Sequence, residues 1–203
     1  MGLISNATTV FDAGAMSAGF GGSMTFIKKL TASNASTLTF VDGASSVVLD
    51  GTYKEYLFTV NNIHPAATSY FQVNFRDGGT NYDATKTSTA FGAIHAEDNS
   101  TPSLAYVAGS DLAQGTGVNR LTTGELNSGN ADDSLSGYLH LFNPSSTTFV
   151  KHFIWSCNYG YETGTENPHG AGYFNTTSDI DAVRFQMTSD AIDAGDICLY
   201  GIA

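Results

Sequence analysis

The sequence predicts an all-β protein, an antiparallel β-sandwich or jelly roll with an extended N-terminal arm. Short runs of β-branched and aromatic residues recur along the chain and are bounded by Gly, Asn, Asp and Pro. Apart from a weak candidate at residues 110–114, no run has the three-and-four apolar spacing of an amphipathic helix. Charged residues form 13% of the 203 positions, against roughly 25% in an average domain, which is consistent with a turn-rich surface of Ser, Thr, Asn and Gly.

The first 24 residues lie outside the strand pattern. They contain no Lys or Arg and one acid, Asp12. They lack the charged start and apolar run of a secretory signal, and no window of the chain has the roughly 20 apolar residues of a membrane helix. Small uncharged residues allow close approach to a partner's backbone or addition of a strand to its sheet. We therefore expect an attachment or oligomerisation arm at residues 1–24, with contacts from Leu3, Ile4, Val10, Phe11, Met16 and Phe20.

Residues 25–203 are predicted to form one sandwich domain, with room for eight to ten strands of about 5–6 residues each. The first clear strand, at residues 56–63, stops at His64-Pro65 because proline lacks the N–H that a central ladder needs. In the next strand, residues 69–76, the apolar side chains of Phe71, Val73 and Phe75 alternate with polar ones and should line one buried face.

The downstream half repeats this pattern. Residues 137–142 and 148–157 are predicted to form a hairpin with a four-residue connection, because Asn143-Pro144 separates two β-rich runs. Three further strands are expected at residues 171–176, 182–187 and 196–202. The stretch from 97 to 136 has few strong β-formers and should be a large loop excursion.

Charge and cysteine content limit the partners and the chemistry. Lys and Arg total 8 and Asp and Glu total 19, a formal charge of −11, which disfavours nucleic acid and anionic membrane surfaces as partners. Cys157 and Cys198 both lie in strand-like stretches. They could form a disulfide only if those strands were neighbours, and buried free thiols are the commoner arrangement.

Candidate catalytic carboxylates are present but lack a confirming context. Glycosidases need two carboxyl groups roughly 5–10 Å apart at a cleft. Two pairs of acids, Glu162 with Glu166 and Glu97 with Asp98, have suitable chemistry, but acids in Gly- and Asn-rich loops are usually solvated. No nucleophile elbow of the form G-x-S-x-G occurs. We therefore predict no catalytic residues and no enzymatic activity.

Metal and cofactor motifs are similarly incomplete. His140 and His152 are predicted to lie on adjacent strands, but a zinc site would need a third protein ligand. The acidic segments 77–83 and 190–196 lack the ligand spacing of a calcium loop, although they leave a structural Ca²⁺ conceivable. Gly115-Thr116-Gly117 lacks the third glycine and the following helix of a phosphate loop. No metal and no cofactor is predicted.

An aromatic loop at residues 158–162 is the candidate ligand site. Tyr159, Tyr161, Glu162 and Asn167 could bind a sugar, because aromatic rings stack on pyranose faces while Asn and Glu bond to hydroxyl groups. Exposed tyrosines are also enriched at protein interfaces. A third interpretation is that these rings only cover the rim of the core. The sequence leaves all three open.

Four segments carry a resemblance to a known group of proteins: YLFTVNNIHPA, LHLFNPSSTTFVKHF, AGYFNTTSDIDAVRFQMTSDAIDAGDICLYGI and the leader MGLISNATTVFDAG. They resemble virion proteins of tailed bacteriophages, common among marine phages, and the resemblance covers nearly the whole chain. Apolar strands, an Asp-rich turn and a closing LYGI are typical of jelly-roll modules in phage fibres and capsid decorations. The shared motifs are structural, so no catalytic residue is carried over.

The resemblance implies a virion surface protein made in the reducing cytoplasm of a host bacterium, where free cysteines are usual. Its expected partners are other virion proteins of the capsid or tail and copies of itself, in a homo-oligomer such as a trimer. A capsid decoration or cement protein is favoured, since the short chain has no coiled-coil or β-helical shaft. The alternative is a tail-fibre or receptor-binding module that recognises host surface glycans.

Overall fold

The computed structural model describes residues 23–130, 132–161 and 163–203, and within the first 22 residues it describes only the backbone of three short strands. The described chain is an all-β sandwich of antiparallel strands, which confirms the predicted fold class. In chain order the strands are β1 Leu3–Ser5, β2 Thr8–Asp12, β3 Ala15–Met16, β4 Met24–Thr31, β5 Leu38–Val41, β6 Glu55–Pro65, β7 Phe71–Arg76, β8 Lys86–Ala96, β9 Ser103–Tyr106, β10 Leu112–Gly115, β11 Asn119–Arg120, β12 Leu135–Phe142, β13 His152–Tyr161, β14 Gly164–Phe174, β15 Ala182–Met187 and β16 Ile192–Ile202.

The two layers of the sandwich differ in size. The large sheet has nine strands in the order β10-β8-β14-β13-β12-β6-β16-β4, with β9 paired to β8. The small sheet has four strands in the order β11-β7-β15-β5. Strand β16, the last in sequence, lies inside the large sheet between β6 and β4.

Aromatic side chains fill the space between the sheets. Phe40 and Phe185 of the small sheet contact Phe58 of the large sheet, with ring centroids 5.3 Å apart for Phe40 and Phe58 and 5.6 Å apart for Phe58 and Phe185. A second group joins Phe75 of β7 to Phe153 and Phe174, at 5.2 and 4.7 Å. All six rings are 0% exposed. Burial of such large rings supplies most of the stabilisation expected for this core.

Strand β7 confirms the predicted buried face and extends it. Phe71, Val73 and Phe75 are each 0% exposed. The polar residues between them, Gln72 and Asn74, are also buried. The Asn74 amide donates to the main-chain oxygen of Tyr82, so its polar group is satisfied.

The predicted hairpin is present, but its connection is longer than predicted. Pairing between β12 and β13 ends at Phe142 opposite His152, which leaves nine residues, 143–151, between the strands. The reason lies at Lys151, which does not continue the ladder because its side chain turns into the interior, where it is 1% exposed. Its ammonium group donates to the main-chain oxygens of Ser146 at 3.2 Å and Thr176 at 3.1 Å, and also to that of Ser178.

Other boundaries also differ from the predictions. From Met24 onward the chain has thirteen strands instead of eight to ten, because the excursion between 97 and 136 contains β9, β10 and β11. The cysteines are both free. Two strands, β12 and β6, separate β13 with Cys157 from β16 with Cys198, so the two thiols are not neighbours in the sheet.

The predicted arm contains three short strands that pair with one another. The backbones of β1, β2 and β3 form a small antiparallel sheet, with Leu3 opposite Phe11 and Phe11 opposite Met16. The side chains proposed for attachment, Leu3, Ile4, Val10, Phe11, Met16 and Phe20, lie outside the described residues. Their role in attachment stays a prediction.

Candidate functional site

The aromatic segment that is a candidate ligand loop in the sequence belongs to a strand hairpin. Residues 158–161 belong to β13, and residues 164–167 already belong to β14, with Tyr161 opposite Gly164. Glu162 lies outside the described residues. Because side chains alternate along a strand, this segment distributes its rings and amides to opposite faces instead of gathering them in one loop.

Tyr159 and Glu166 point into the sandwich and bond to each other. Tyr159 is 1% exposed and its hydroxyl donates to the Glu166 carboxylate, which also accepts from Thr123. The same hydroxyl accepts from the Gly124 N–H at 2.8 Å. Burial raises the pKa of Tyr159 well above its usual range, and the hydrogen bond to Glu166 adds to the effect. This pair ties the excursion to the large sheet, so Glu166 is not the solvated acid that the sequence predicted.

Tyr161 and Asn167 do not share a binding surface with Tyr159. Tyr161 is half-buried against the core and lines a shallow pocket with Glu97 and Thr101 at the end of β8. Asn167 is exposed on the far side of the sheet, where its amide donates to Ser156 Oγ at 3.3 Å. Of the four predicted ligand residues, the structure brings no described pair together as a platform for a sugar.

A different surface is the strongest candidate site. The small sheet covers one side of the large sheet, and we call the other side the open face. Strand alternation places side chains of eight strands on it. Its principal residues are Met24, Phe26, Lys29, Glu55, Leu57, Thr59, Thr89, Phe91, Leu104, Tyr106, Tyr138, His140, Phe142, His152, Ile154, Ser156, Asn167, His169, Ala171, Tyr173, Asp196, Cys198 and Tyr200.

The open face is rich in exposed apolar and aromatic groups. Nine large hydrophobic side chains are exposed in the described chain, and seven lie on this face: Met24, Phe26, Phe91, Leu104, Tyr106, Tyr138 and Ile154. Single exposed apolar side chains are normal on monomeric proteins, but seven of nine on one face of one sheet are not. Such a concentration is typical of a surface that a partner covers.

Two shallow depressions meet near the centre of the open face. One, of about 530 Å³, is lined by Leu57, Thr59 and His140, and the other, of about 360 Å³, by Phe91 and His169. Tyr138 and Ile154 line both depressions and form the ridge between them. Tyr138 is 40% exposed and Ile154 is 38% exposed. These two side chains are therefore the most central apolar contacts that a partner would meet.

Aromatic pairs stiffen the margins of the open face. The Phe91 ring stacks on His169 at 5.4 Å and meets Tyr106 edge-on at 5.3 Å. On the opposite margin, Phe26 meets Tyr200 edge-on at 5.7 Å. Neighbouring rings restrict one another's rotamers, so a partner would meet side chains that have already lost part of their conformational freedom.

Few charges lie on the open face, and two of them form an ion pair. Lys29 Nζ lies 3.2 Å from Asp196 Oδ2, and the Glu55 carboxylate contacts the imidazole of His140, with Oε2 3.0 Å from Nε2. Many of the other acids that give the chain its charge of −11 lie in turns. The open face is thus close to neutral on a strongly acidic molecule, which lowers the electrostatic cost of covering it.

The sequence contains a signal for the open face, but the alternation of side chains alone does not distinguish this face from a buried one. In β12, Leu139 and Leu141 face the sandwich, while Tyr138, His140 and Phe142 face outward. A strand that is apolar or aromatic on both sides is normally buried on both sides. Here the outer side is open, so the apolar surplus marks a contact surface.

The histidines considered as metal ligands lie on adjacent strands, as predicted, but not directly opposite each other. His140 lies opposite Ile154 and packs on Phe142, whereas His152 lies beside Tyr173. Across the described ranges, no three His, Cys, Asp or Glu side chains converge as a ready-made metal site, and no helix in them is long and apolar enough to cross a membrane.

Comparisons of the chain with protein-family models, with curated proteins and with solved structures find no significant match.

Proposed function

We propose that this chain is a non-enzymatic structural protein of a phage virion surface, most consistent with a capsid decoration or cement subunit. Its partners are neighbouring virion proteins and further copies of itself. The observation that carries the proposal is the open face, an aromatic and nearly neutral side of a nine-stranded sheet. The resemblance of four sequence segments to virion proteins of tailed phages supports the same role.

The energetics of the open face suit assembly. Full burial of a large apolar side chain contributes about 1.5–3 kcal/mol, so covering Phe26, Phe91, Tyr138 and Ile154 would contribute several kcal/mol. Association entropy and side-chain ordering offset part of this gain. A partner that is held in a particle at high local concentration loses less entropy per contact than a free one. Attachment to an existing shell is therefore easier than dimerisation in dilute solution.

Incorporation into particles tests the proposal. Tyr138→Asp and Ile154→Asp place a charge on the central ridge, and each is expected to lower occupancy on purified virions at least tenfold with little change in melting temperature. Phe149→Asp is the matched control, because Phe149 is 72% exposed but lies outside the open face. Quantitative mass spectrometry of particles gives the copy number. Wild-type copies in the hundreds fit decoration, whereas a few to some tens fit a tail fibre. Full occupancy of both ridge variants would refute attachment through this face.

The arm makes a separable contribution. Among the described residues the buried core runs from Ala32 to Leu199, and we expect a chain of residues 23–203 to fold cooperatively and to lose part of its attachment. If this truncated chain unfolds, the arm belongs to the folded core. If it is incorporated at full occupancy, docking depends on the sandwich alone.

A receptor-binding module for host glycans is the second candidate. The exposed rings of Tyr106 and Tyr138 lie on the same face as the amide of Asn167 and the hydroxyl of Ser156, which is the mixture of groups that binds sugars. A glycan array with wild-type protein, Tyr138→Ala and Tyr161→Ala decides this question. Binding that Tyr138→Ala abolishes supports the module, and no binding to any bacterial surface sugar leaves the structural role.

A further inference from the structure

A small cavity lies at the end of the large sheet, where the β13–β14 hairpin meets the chain that enters β12. Its volume is about 60 Å³, enough for an ion and a water molecule. The cavity lining contains three acids, Glu97, Asp132 and Asp133, together with Gly160, Tyr161 and Gly164.

Asp133 is the unusual member of this group. It is only 1% exposed, and its Oδ2 atom is buried with no hydrogen-bond partner among the described residues. Burying a carboxylate without a partner costs several kcal/mol, and native proteins compensate by pairing the charge, protonating it or binding a metal ion. No Lys, Arg or His lies within ion-pair distance of Asp133 in the described chain. A cation bound in the cavity would supply the missing partner.

The cavity walls offer oxygen atoms. A Cβ atom at Gly160 would lie 2.7 Å from the main-chain oxygen of Asp132, so this carbonyl group packs directly against the Gly160 backbone in the cavity lining. Glu97 and Asp132 add two more carboxylates to the same wall, and neither a histidine nor a cysteine lines it.

We propose that this cavity binds one Ca²⁺ ion, with the Asp133 carboxylate as its anchoring ligand. Ca²⁺ accepts six to eight oxygen ligands in flexible geometry, including main-chain carbonyls and water. That preference matches a lining in which the three carboxylates do not converge tightly, but the buried Asp133 carboxylate, the main-chain oxygen of Asp132 and water can share one ion. Mg²⁺ demands a compact octahedral shell, and Zn²⁺ prefers nitrogen and sulfur ligands that the cavity lacks.

The ion would add a link between two parts of the chain that the β12–β13 ladder already brings together. Asp133 precedes β12, while Gly160 and Gly164 flank the turn between β13 and β14. A shared ion would fix the turn to the start of β12 and neutralise part of the acidic end of the molecule. The proposal concerns stability and does not depend on the virion role.

The test uses full-length protein freed of metal with EDTA and then dialysed. Titration with CaCl₂ is expected to raise the melting temperature by about 3–6 °C at ten times Kd, and calorimetry should give one saturable site. MgCl₂ at equal ionic strength should produce a much smaller shift. Asp133→Asn is expected to abolish the Ca²⁺ shift, whereas Asp179→Asn, which removes an exposed acid from the turn before β15, should retain it.

A second variant keeps the test decisive if Asp133→Asn fails to fold. Glu97 is exposed at the mouth of the cavity, so Glu97→Gln should fold normally and weaken Ca²⁺ binding several-fold. The proposal is overturned if wild-type protein shows neither a Ca²⁺-dependent shift nor saturable heat. It is also overturned if Asp133→Asn keeps the full shift.

Discussion

Lys86 is a buried cation whose removal should reshape the pH dependence of stability. The side chain is 0% exposed, and its ammonium group donates to Asn74 Oδ1 at 2.9 Å and to the Ala84 carbonyl at 3.1 Å. The Phe75 ring centroid lies 6.0 Å away. Both hydrogen-bond acceptors are neutral, so they do not repay the lost hydration of the charge. Burial accordingly lowers the pKa of Lys86 from 10.5 to about 8.

The sign and size of the effect follow from proton binding. Between pH 8 and 10.5 the unfolded chain holds a proton at Lys86 that the folded chain has released, so this residue makes unfolding less favourable as pH rises. From pH 7 to pH 9 the folded chain loses most of one proton, which adds about 1.4 kcal/mol to the free energy of unfolding. Lys86→Met keeps the length of the side chain and removes this contribution.

Urea denaturation of wild type and Lys86→Met at pH 7, 8 and 9 measures the effect. Comparing the two proteins at each pH cancels other titrations, including that of Cys157, whose pKa burial raises from 9.0 to about 12. The stability gap is expected to move by about 1.4 kcal/mol in favour of wild type. Lys29→Met, which removes a half-exposed lysine, should show a constant gap. A constant gap for Lys86→Met as well would refute the reasoning.

Three further outcomes are expected. Val73→Asp places a carboxylate at a site that is 0% exposed and should cost several kcal/mol and prevent soluble expression; normal expression and melting would contradict the β7 register. Tyr159→Phe removes the hydroxyl that bonds Glu166 and should cost about 1–3 kcal/mol in urea denaturation, and a change under 0.5 kcal/mol, on the order of a surface substitution, would contradict that role. Thiol labelling should modify half-buried Cys198 in the folded protein but Cys157 only after unfolding, and equal rates would show that the sandwich opens readily.

Predictions from sequence succeeded where the alternation of side chains was sharp. Phe71, Val73 and Phe75 alternate with polar residues, and the structure buries all three. The longer hairpin connection was missed because Lys151 lies in a β-rich run, and only tertiary contacts show that it turns into the interior. Pattern analysis assigns a lysine to solvent by default, so a lysine that bonds main-chain oxygens inside the fold escapes it.

The candidate site shows the same limit in another form. The sequence leaves Tyr159 open as a sugar ligand, an interface residue or a residue at the rim of the core, and sheet pairing places it in the core itself. Tyr138, by contrast, resembled an ordinary strand residue and proves to be central on the open face. Whether the outer side of a strand meets solvent depends on whether another layer covers it, and strand patterns in a single sequence do not show how many layers the fold has.

The position of β16 has a consequence for how the protein is made. Strand β16 pairs on one side with β6 and on the other with β4. The pairing with β4 joins residues that are far apart in the sequence: Lys29 bonds Asp196, more than 160 residues later. Neither partner strand can complete its hydrogen bonds until Ile202 has left the ribosome. During synthesis, β6 must wait with an unpaired edge and an apolar face, a state that favours aggregation. Folding that depends on such distant pairing is expected to be slow, so yield in the cell should depend on chaperones and on growth temperature more than on the stability of the finished fold.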